Sequence, residues 1–269
     1  MEYGPWSIVS ILFEKNGTHI LATSDNRWVL KVIRDSQRST DELSVLLGML
    51  RNKPRHCITV PTEAYSLYGR TPTSGWYALK RYNGHVNIDR YCKERWRTLA
   101  TNVLKFLQDF HHNQGLVHMD IKKGNILIDD AKGEFIVADY EHAEKPSTIL
   151  TMSHEDDYKW YYMGLGAEMN EPLASWRFDL VALGYILASL TVDLAQWTFE
   201  EKCWNKRGDK QSNKQEEQEI VALRTKELAL ADPAIIEYMR TIGNSVSWIA
   251  KEPPPREFYV SLERLFQKE

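Results

Sequence analysis

Leu116–Asp129, LVHMDIKKGNILID, is the stretch whose reading decides the fold. It sets a lone aspartate, Asp120, five residues before an asparagine, Asn125, between apolar runs suited to short strands. Leu116-Val117 before the loop and Ile126-Leu127-Ile128 after it are expected to pin its ends to a small sheet. In a loop of the form H-x-D-x-x-x-x-N, Asp120 can face a substrate hydroxyl while Asn125 turns back to hold a metal on a nucleotide phosphate. The same residues also suit a polar turn between two strands, where Asp and Asn are common because their side chains bond nearby backbone.

A second carboxylate follows at once. Phe135-Ile136-Val137-Ala138 reads as a buried strand that delivers Asp139, and phosphoryl transfer needs such a group for Mg²⁺ because it is mostly positioning and charge neutralisation. An acidic residue after a strand is otherwise ordinary; it gains weight as a pair with Asn125.

Together these residues resemble the catalytic and metal-binding loops of the protein-kinase superfamily. Met119 stands where most members carry Arg, and Asp139-Tyr140-Glu141 stands where they carry D-F-G. The vaccinia-related kinases, sisters of the casein kinase 1 group, also lack that Arg and favour D-Y-G, so the chain resembles them more than kinases at large, except at Glu141. The resemblance implies an α+β, two-lobed protein-kinase-like fold. Residues 1–82 would be a small antiparallel sheet with one main helix, covering the nucleotide, and residues 83–269 a mostly helical lobe with the catalytic loop and the docking surface. It implies ATP and Mg²⁺ as cofactors, Asp120, Lys122 and Asn125 as catalytic residues, and Asn125 and Asp139 as metal ligands. Lys31, Glu42, Leu79, Lys80, Leu127 and Asp139 would surround the nucleotide.

The N-terminal residues fit that expectation. WSIVSILFE (6–14), HILAT (19–23) and WVLKVI (28–33) alternate as strands, separated by EKNG and SDN turn signals. Lys31 lies inside the third; it is either a snorkelling strand lysine or, as VLK resembles the family's V-A-I-K, the residue that grips the inner phosphates. Ser39-Thr40-Asp41 offer caps for a following helix. On it Glu42 and Leu46 share a face, so the carboxylate can point at Lys31 while Leu46 packs inward. The turn between the first two strands departs from the family. G-x-G-x-x-G is expected there, and Phe13-Glu14-Lys15-Asn16-Gly17-Thr18 has a single glycine, a Glu that repels phosphate and a Lys that attracts it. Residues 51–75 are loop-rich, with a strand expected around Glu63–Tyr68. Gly75–Gly84 reads as a strand ending in a turn, by resemblance the hinge, with Leu79 or Lys80 at the back of the nucleotide pocket.

Arg90–Asn113 is predicted helical, with Trp96, Leu99, Val103, Phe106, Leu107 and Phe110 on one core-facing stripe. Gly115 ends it. His118 is read as a packing residue that holds the loop backbone, and Lys122 as the cation that offsets charge on the transferring phosphoryl group. Residues 142–178, including His154-Glu155-Asp156-Asp157, are read as an activation and docking segment. Ser175-Trp176-Arg177-Phe178-Asp179-Leu180 with Gly184-Tyr185 resembles the S-R-R-x-D-L-x-x-L-G-Y stretch of the casein kinase 1 and vaccinia-related groups. There Leu180–Leu190 is a central buried helix and Asp179 braces the catalytic loop. Trp197 stands near the family's L-P-W tryptophan. Asn205–Glu219 is a polar, charge-rich stretch, and Pro253–Pro255 with Tyr259, Leu262, Leu265 and Phe266 resembles the closing helix of casein kinase 1.

Composition bounds the rest. The chain has 269 residues, 43% of them hydrophobic, enough for a real core. With 34 basic and 37 acidic residues the net charge is −3, which points to neither nucleic acid nor an acidic membrane as a partner. The three cysteines are widely spaced and form no C-x-x-C pair, so a disulfide framework or zinc site is not expected. A monomer in the cytoplasm or nucleus is expected, acting on protein substrates. Two alternatives stand beside an active serine/threonine kinase. One is a pseudokinase binding module, suggested by the single-glycine turn and Glu141. The other is a small-molecule phosphotransferase of the aminoglycoside or choline kinase type, suggested by D-Y-E-H-A.

Overall fold

The computed structural model describes residues 6–15, 17–59, 68–70, 75–82, 84–85, 90–148, 174–193, 222–223, 225–247 and 249–267. Most of the strand expected at 63–68, the acidic run at 154–157, Trp197 and the polar stretch 205–219 lie outside the described residues.

The N-terminal part is an antiparallel sheet of five strands: β1 (Ile8–Lys15), β2 (Thr18–Thr23), β3 (Trp28–Ile33), β4 (Tyr68–Arg70) and β5 (Gly75–Lys80), in the order β1-β2-β3-β5-β4. Gly17 turns β1 into β2 at φ 77°, a backbone conformation that glycine adopts without a Cβ penalty. Alternation divides β3. Leu30 and Val32 pack with Leu21 and Ala78 in a small cluster on one face, whereas Ile33 joins the main core on the other. Lys31 shares the Ile33 face, so a charged side chain is carried, buried, to the boundary between sheet and helices.

One helix, α1 (Ser36–Met49), packs on β3 and β5. It starts before the predicted cap: Asp35, whose carboxylate accepts the Gln37 N–H at 2.8 Å, does the capping in place of Ser39–Asp41. Leu46 and Met49 are fully buried on its inner face, and Glu42 with them.

The C-terminal part is mainly helical. A short α2 (Arg90–Glu94) breaks at Arg95 before α3 (Trp96–Gln114), so the predicted single helix is two. The expected stripe is buried, with Leu99, Val103, Phe106, Leu107 and Phe110 at 0% exposure. At about 1.5–3 kcal/mol per buried large apolar side chain, such a stripe fixes α3 as the pillar of this part. Gly115 closes it in the left-handed conformation, its N–H returning to the His111 carbonyl. A three-stranded sheet follows, β6 (Gly84–His85), β7 (Ile126–Asp129) and β8 (Glu134–Val137), in that order. Through β7 it holds the C-terminal end of the Asp120 loop, as the apolar run after the loop predicts; the N-terminal end is held outside the sheet instead, by a bridge between Val117 and Glu144.

Packed on α3, α4 (Trp176–Thr191) is apolar all round from Leu180 to Leu190 and buried from Phe178 to Leu190. Ser175 caps it by accepting the Arg177 N–H. Gly184 lets α5 (Pro233–Ser245) approach closely: a Cβ there would overlap the Met239 side chain, which would have to move aside. The closing helix α6 (Arg256–Gln267) buries Tyr259, Leu262 and Phe266, and it lies against α3. Among the described residues no helix is long and apolar enough to cross a membrane.

Candidate active site

The site begins with β3. Antiparallel pairing sets Lys31 opposite Ile20 on β2 and Tyr77 on β5, and Ile20 opposite Phe13 on β1, so Phe13, Ile20, Lys31 and Tyr77 form one rung on one face. The α1 carboxylate of Glu42 reaches Lys31 Nζ at 2.8 Å. Asp139, which follows β8, reaches the same nitrogen at 2.5 Å, and the Glu141 carboxylate lies 3.7 Å from it. Burial by itself would lower the Lys31 pKa; the Glu42, Asp139 and Glu141 carboxylates outweigh it and hold the ammonium above the ordinary lysine range. Burial raises the Glu42 pKa, and Lys31 opposes that rise.

The second group is the loop itself. Asp120 is fully buried. Its Oδ2 accepts the Asn125 side-chain N–H at 2.6 Å and pairs with Lys122 Nζ at 2.8 Å. Its Oδ1 is buried with no hydrogen-bond partner among the described residues. Burial pushes the Asp120 carboxyl up to about 7; Lys122 opposes the shift, and the nearby Asp139 charge adds to it. Asn125 Nδ2 also bonds the Asp120 carbonyl at 3.0 Å, which leaves the amide oxygen for another partner.

Two residues in the left-handed region mark where the backbone is bent to serve this arrangement: Met119 at φ 64° and Asp139 at φ 70°. Such conformations cost about 1–3 kcal/mol for non-glycine residues and persist where surrounding contacts over-determine them. At Met119 those contacts come from Asp179 in the first turn of α4. Its carboxylate accepts the N–H groups of His118 at 2.7 Å and Met119 at 2.9 Å, and meets His111 Nε2 at 2.8 Å. The brace expected of Asp179 is therefore present. At Asp139 the restraint is Lys31 on its carboxylate, together with the bond from the Ala138 N–H to the Asn125 carbonyl at 2.9 Å just before it.

His118 packs among Phe106, Phe110 and Tyr140, and its Nδ1 accepts the Asp120 N–H at 3.2 Å. Burial drops its pKa to about 4, so it is a neutral structural ring, as read from sequence. Tyr140 fills the same pocket and gives its hydroxyl to the Val137 carbonyl at 2.7 Å.

Lys31, Glu42 and Asp139 are thus brought together, Asp120, Lys122 and Asn125 are brought together, and Asp139 acts on both groups. Leu79 lies opposite Val29, on the Lys31 face and nearly buried. Lys80 takes the opposite alternation and pairs with Asp129 at 3.2 Å, over the Tyr82 ring. Of the two residues expected at the back of the pocket, strand geometry therefore selects Leu79. Leu127 sits in the middle of β7, opposite His85 and Ile136, and makes no polar contact to either group.

Three residues escaped the sequence reading. Tyr77 is fully buried beside Glu42. His111, on the α3 stripe, links Asp179 to the Tyr259 hydroxyl at 2.6 Å. His142 Nε2 lies 3.3 Å from Glu141. Only His111 carried a signal, its helical spacing from Leu107.

The donor set suits a divalent cation with a polyphosphate. Asp139, Glu141 and the Asn125 amide offer hard oxygens, Lys31 offers a fixed ammonium, and the orphaned Asp120 oxygen is an acceptor awaiting a donor. No family model matches the chain, and no curated protein matches its sequence. Among solved structures it is similar to the Cydia pomonella granulovirus kinase PK-1, with a TM-score of 0.57 and 15% identity over 97% of this chain and 94% of that one. The chain therefore has a two-lobed, α+β protein-kinase-like fold.

Proposed function

We propose that the chain is an ATP-dependent protein kinase that transfers the γ-phosphoryl group to a serine or threonine hydroxyl. The observation that carries this is the meeting of Lys31, Glu42 and Asp139 within 2.8 Å beside a buried aspartate, one of whose oxygens has no partner among the described residues. Residues 1–82 cover the nucleotide and residues 83–269 carry the chemistry and the docking surface. Asp120 Oδ1 accepts the hydrogen of the substrate hydroxyl, orienting it for in-line attack, and takes the proton as the bond to phosphorus forms. Lys122 offsets charge on the transferred group, and Lys31, held by Glu42, positions the inner phosphates. Asn125 and Asp139 hold Mg²⁺, which when bound neutralises phosphate charge. Leu79 contributes to the apolar back of the pocket.

The casein kinase 1 and vaccinia-related group is the proposed affiliation, supported by Met119, Asp139-Tyr140 and the Asp179 brace. The proposed partners are ATP and a protein acceptor, with the chain acting as a monomer. A second reading, phosphotransfer to a small molecule, is favoured by Glu141, whose carboxylate lies within the site. Incubation with γ-labelled ATP, Mg²⁺ and casein or histone, in parallel with an aminoglycoside and choline, separates the two. Label on protein that Asp120→Asn abolishes supports the first, and label on a small acceptor alone replaces it with the second. No transfer by wild type to any acceptor overturns both.

A further inference from the structure

Glu141 stands where the D-x-G pattern has glycine, and the fold turns its side chain inward. Carboxylate oxygens of Glu42, Asp139 and Glu141 all lie within 4.8 Å of one another, around the single ammonium of Lys31. Three carboxylates thus share one lysine ammonium, with the His142 ring against the other oxygen of Glu141. The three are not equivalent. Glu42 is 1% exposed and already accepts Lys31 and the Tyr140 N–H, so the protein satisfies it. Asp139 and Glu141, at 28% and 13%, are the two that open outward.

A buried polar atom beside this cluster points to a missing ligand: Asp120 Oδ1, within the field of Asp139, has no hydrogen-bond partner among the described residues. Mutual repulsion among carboxylates does not explain it. A hard divalent cation explains the cluster, because all the groups on offer are oxygens.

We propose that Glu141 is a metal ligand: its carboxylate joins Asp139 in holding a divalent cation, so that the cleft admits a polyphosphate only together with metal. This rests on the phosphoryl-transfer reading above. A glycine at 141 would leave Lys31 facing two carboxylates. Glu141 adds the charge that repels a bare triphosphate and attracts Mg²⁺ or Mn²⁺. His142, on the far side of the Glu141 carboxylate, orients it as outer partners of metal ligands do.

The test titrates the full chain with Mn²⁺ alone, without nucleotide, and follows the free-ion electron paramagnetic resonance signal. Glu141→Gln and Glu141→Gly are expected to weaken Mn²⁺ binding at least fivefold, with metal-free thermal unfolding confirming that each variant is folded. Glu141→Asp, which keeps the charge, is expected to bind more tightly than Glu141→Gln. A loss below fivefold, or a Glu141→Asp no better than Glu141→Gln, overturns the inference. Phosphoryl transfer is not read, so the two ideas fail separately. Transfer by wild type with normal Mn²⁺ binding by Glu141→Gln removes only the role of Glu141. Weakened Mn²⁺ binding with no transfer by wild type to any acceptor removes only the kinase reading.

Discussion

The loop around Asp120 and the turn between β1 and β2 are built in opposite ways. His118, Asp120, Asn125 and Asp179 are all buried, and each is tied to another by a side-chain bond. Across the site, β1 leaves Val9 and Ile11 about as open as surface residues, with Phe13 half exposed, and it ends in a turn with one glycine. The difference teaches where divergence is tolerated. A closed network cannot lose one member without stranding buried polar groups, each at about 1–3 kcal/mol. A turn that meets phosphate through its backbone has no such constraint on its side chains.

The largest effect is expected at the centre of the network. Asp120→Asn keeps the size of the side chain but removes the base, and kcat for transfer should fall about 10³-fold while ATP still shifts the melting temperature. A variant retaining a tenth of wild-type turnover would place the base elsewhere.

Next comes the brace. Asp179→Ala strands the N–H groups of His118 and Met119 inside the core and takes away the partner of His111 Nε2, leaving that ring only its Tyr259 contact, so a loss of about 3 kcal/mol is expected. Urea unfolding measures it. A midpoint unchanged from wild type would mean that the loop holds its left-handed Met119 without help, and the contrast with β1 would weaken.

The titration of Asp120 gives a third handle, with two slopes of opposite sign. Its folded value of about 7 lies above the ordinary 3.8, so folding takes up a proton between them. The stability this contributes is fully present below the lower value and is lost as pH rises through about 7. Transfer needs the ionised carboxylate, so kcat/KM should climb about tenfold per pH unit up to about 7 and then level off. Parallel melting and rate profiles from about pH 5 to 9 test both. A rate profile flat across pH 7 would remove Asp120 as the group that takes the proton.

How far the sequence was legible follows the same division. The D-x-x-x-x-N spacing, the strand before Asp139 and the lysine inside β3 are local patterns, and each led to a residue the structure brings into the site. Asp179 was legible through the resemblance of Ser175–Leu180 to a family stretch in which that aspartate opens the buried helix. Tyr77 was not, because its place beside Lys31 depends on the pairing of β3 with β5, a register that no local pattern sets. Phe13 was hidden in the same way: β1 shifts register twice against β2, between Ile8 and Ser10 and between Ile11 and Phe13, and the second shift moves it onto the Lys31 face. The inward turn of Glu141 had no local sign either, since the motif offered only an unexpected residue type.

The smallest effect is expected at the open turn. Glu14 is 56% exposed and sits 3.6 Å from the His19 ring. In water, two unit charges about 8 Å apart interact by roughly 0.5 kcal/mol, so Glu14→Ala should raise ATP affinity by about twofold at low salt. The gain should fade as ionic strength approaches about 0.15 M, where the Debye length is about 8 Å. Calorimetric titration with a non-hydrolysable ATP analogue at two salt concentrations measures it. A gain of tenfold or more, or one that salt does not diminish, would mean that Glu14 folds over the phosphates in the bound state. The turn would then belong to the site as fully as the loop opposite does, and the contrast between the two regions would be confined to the nucleotide-free chain.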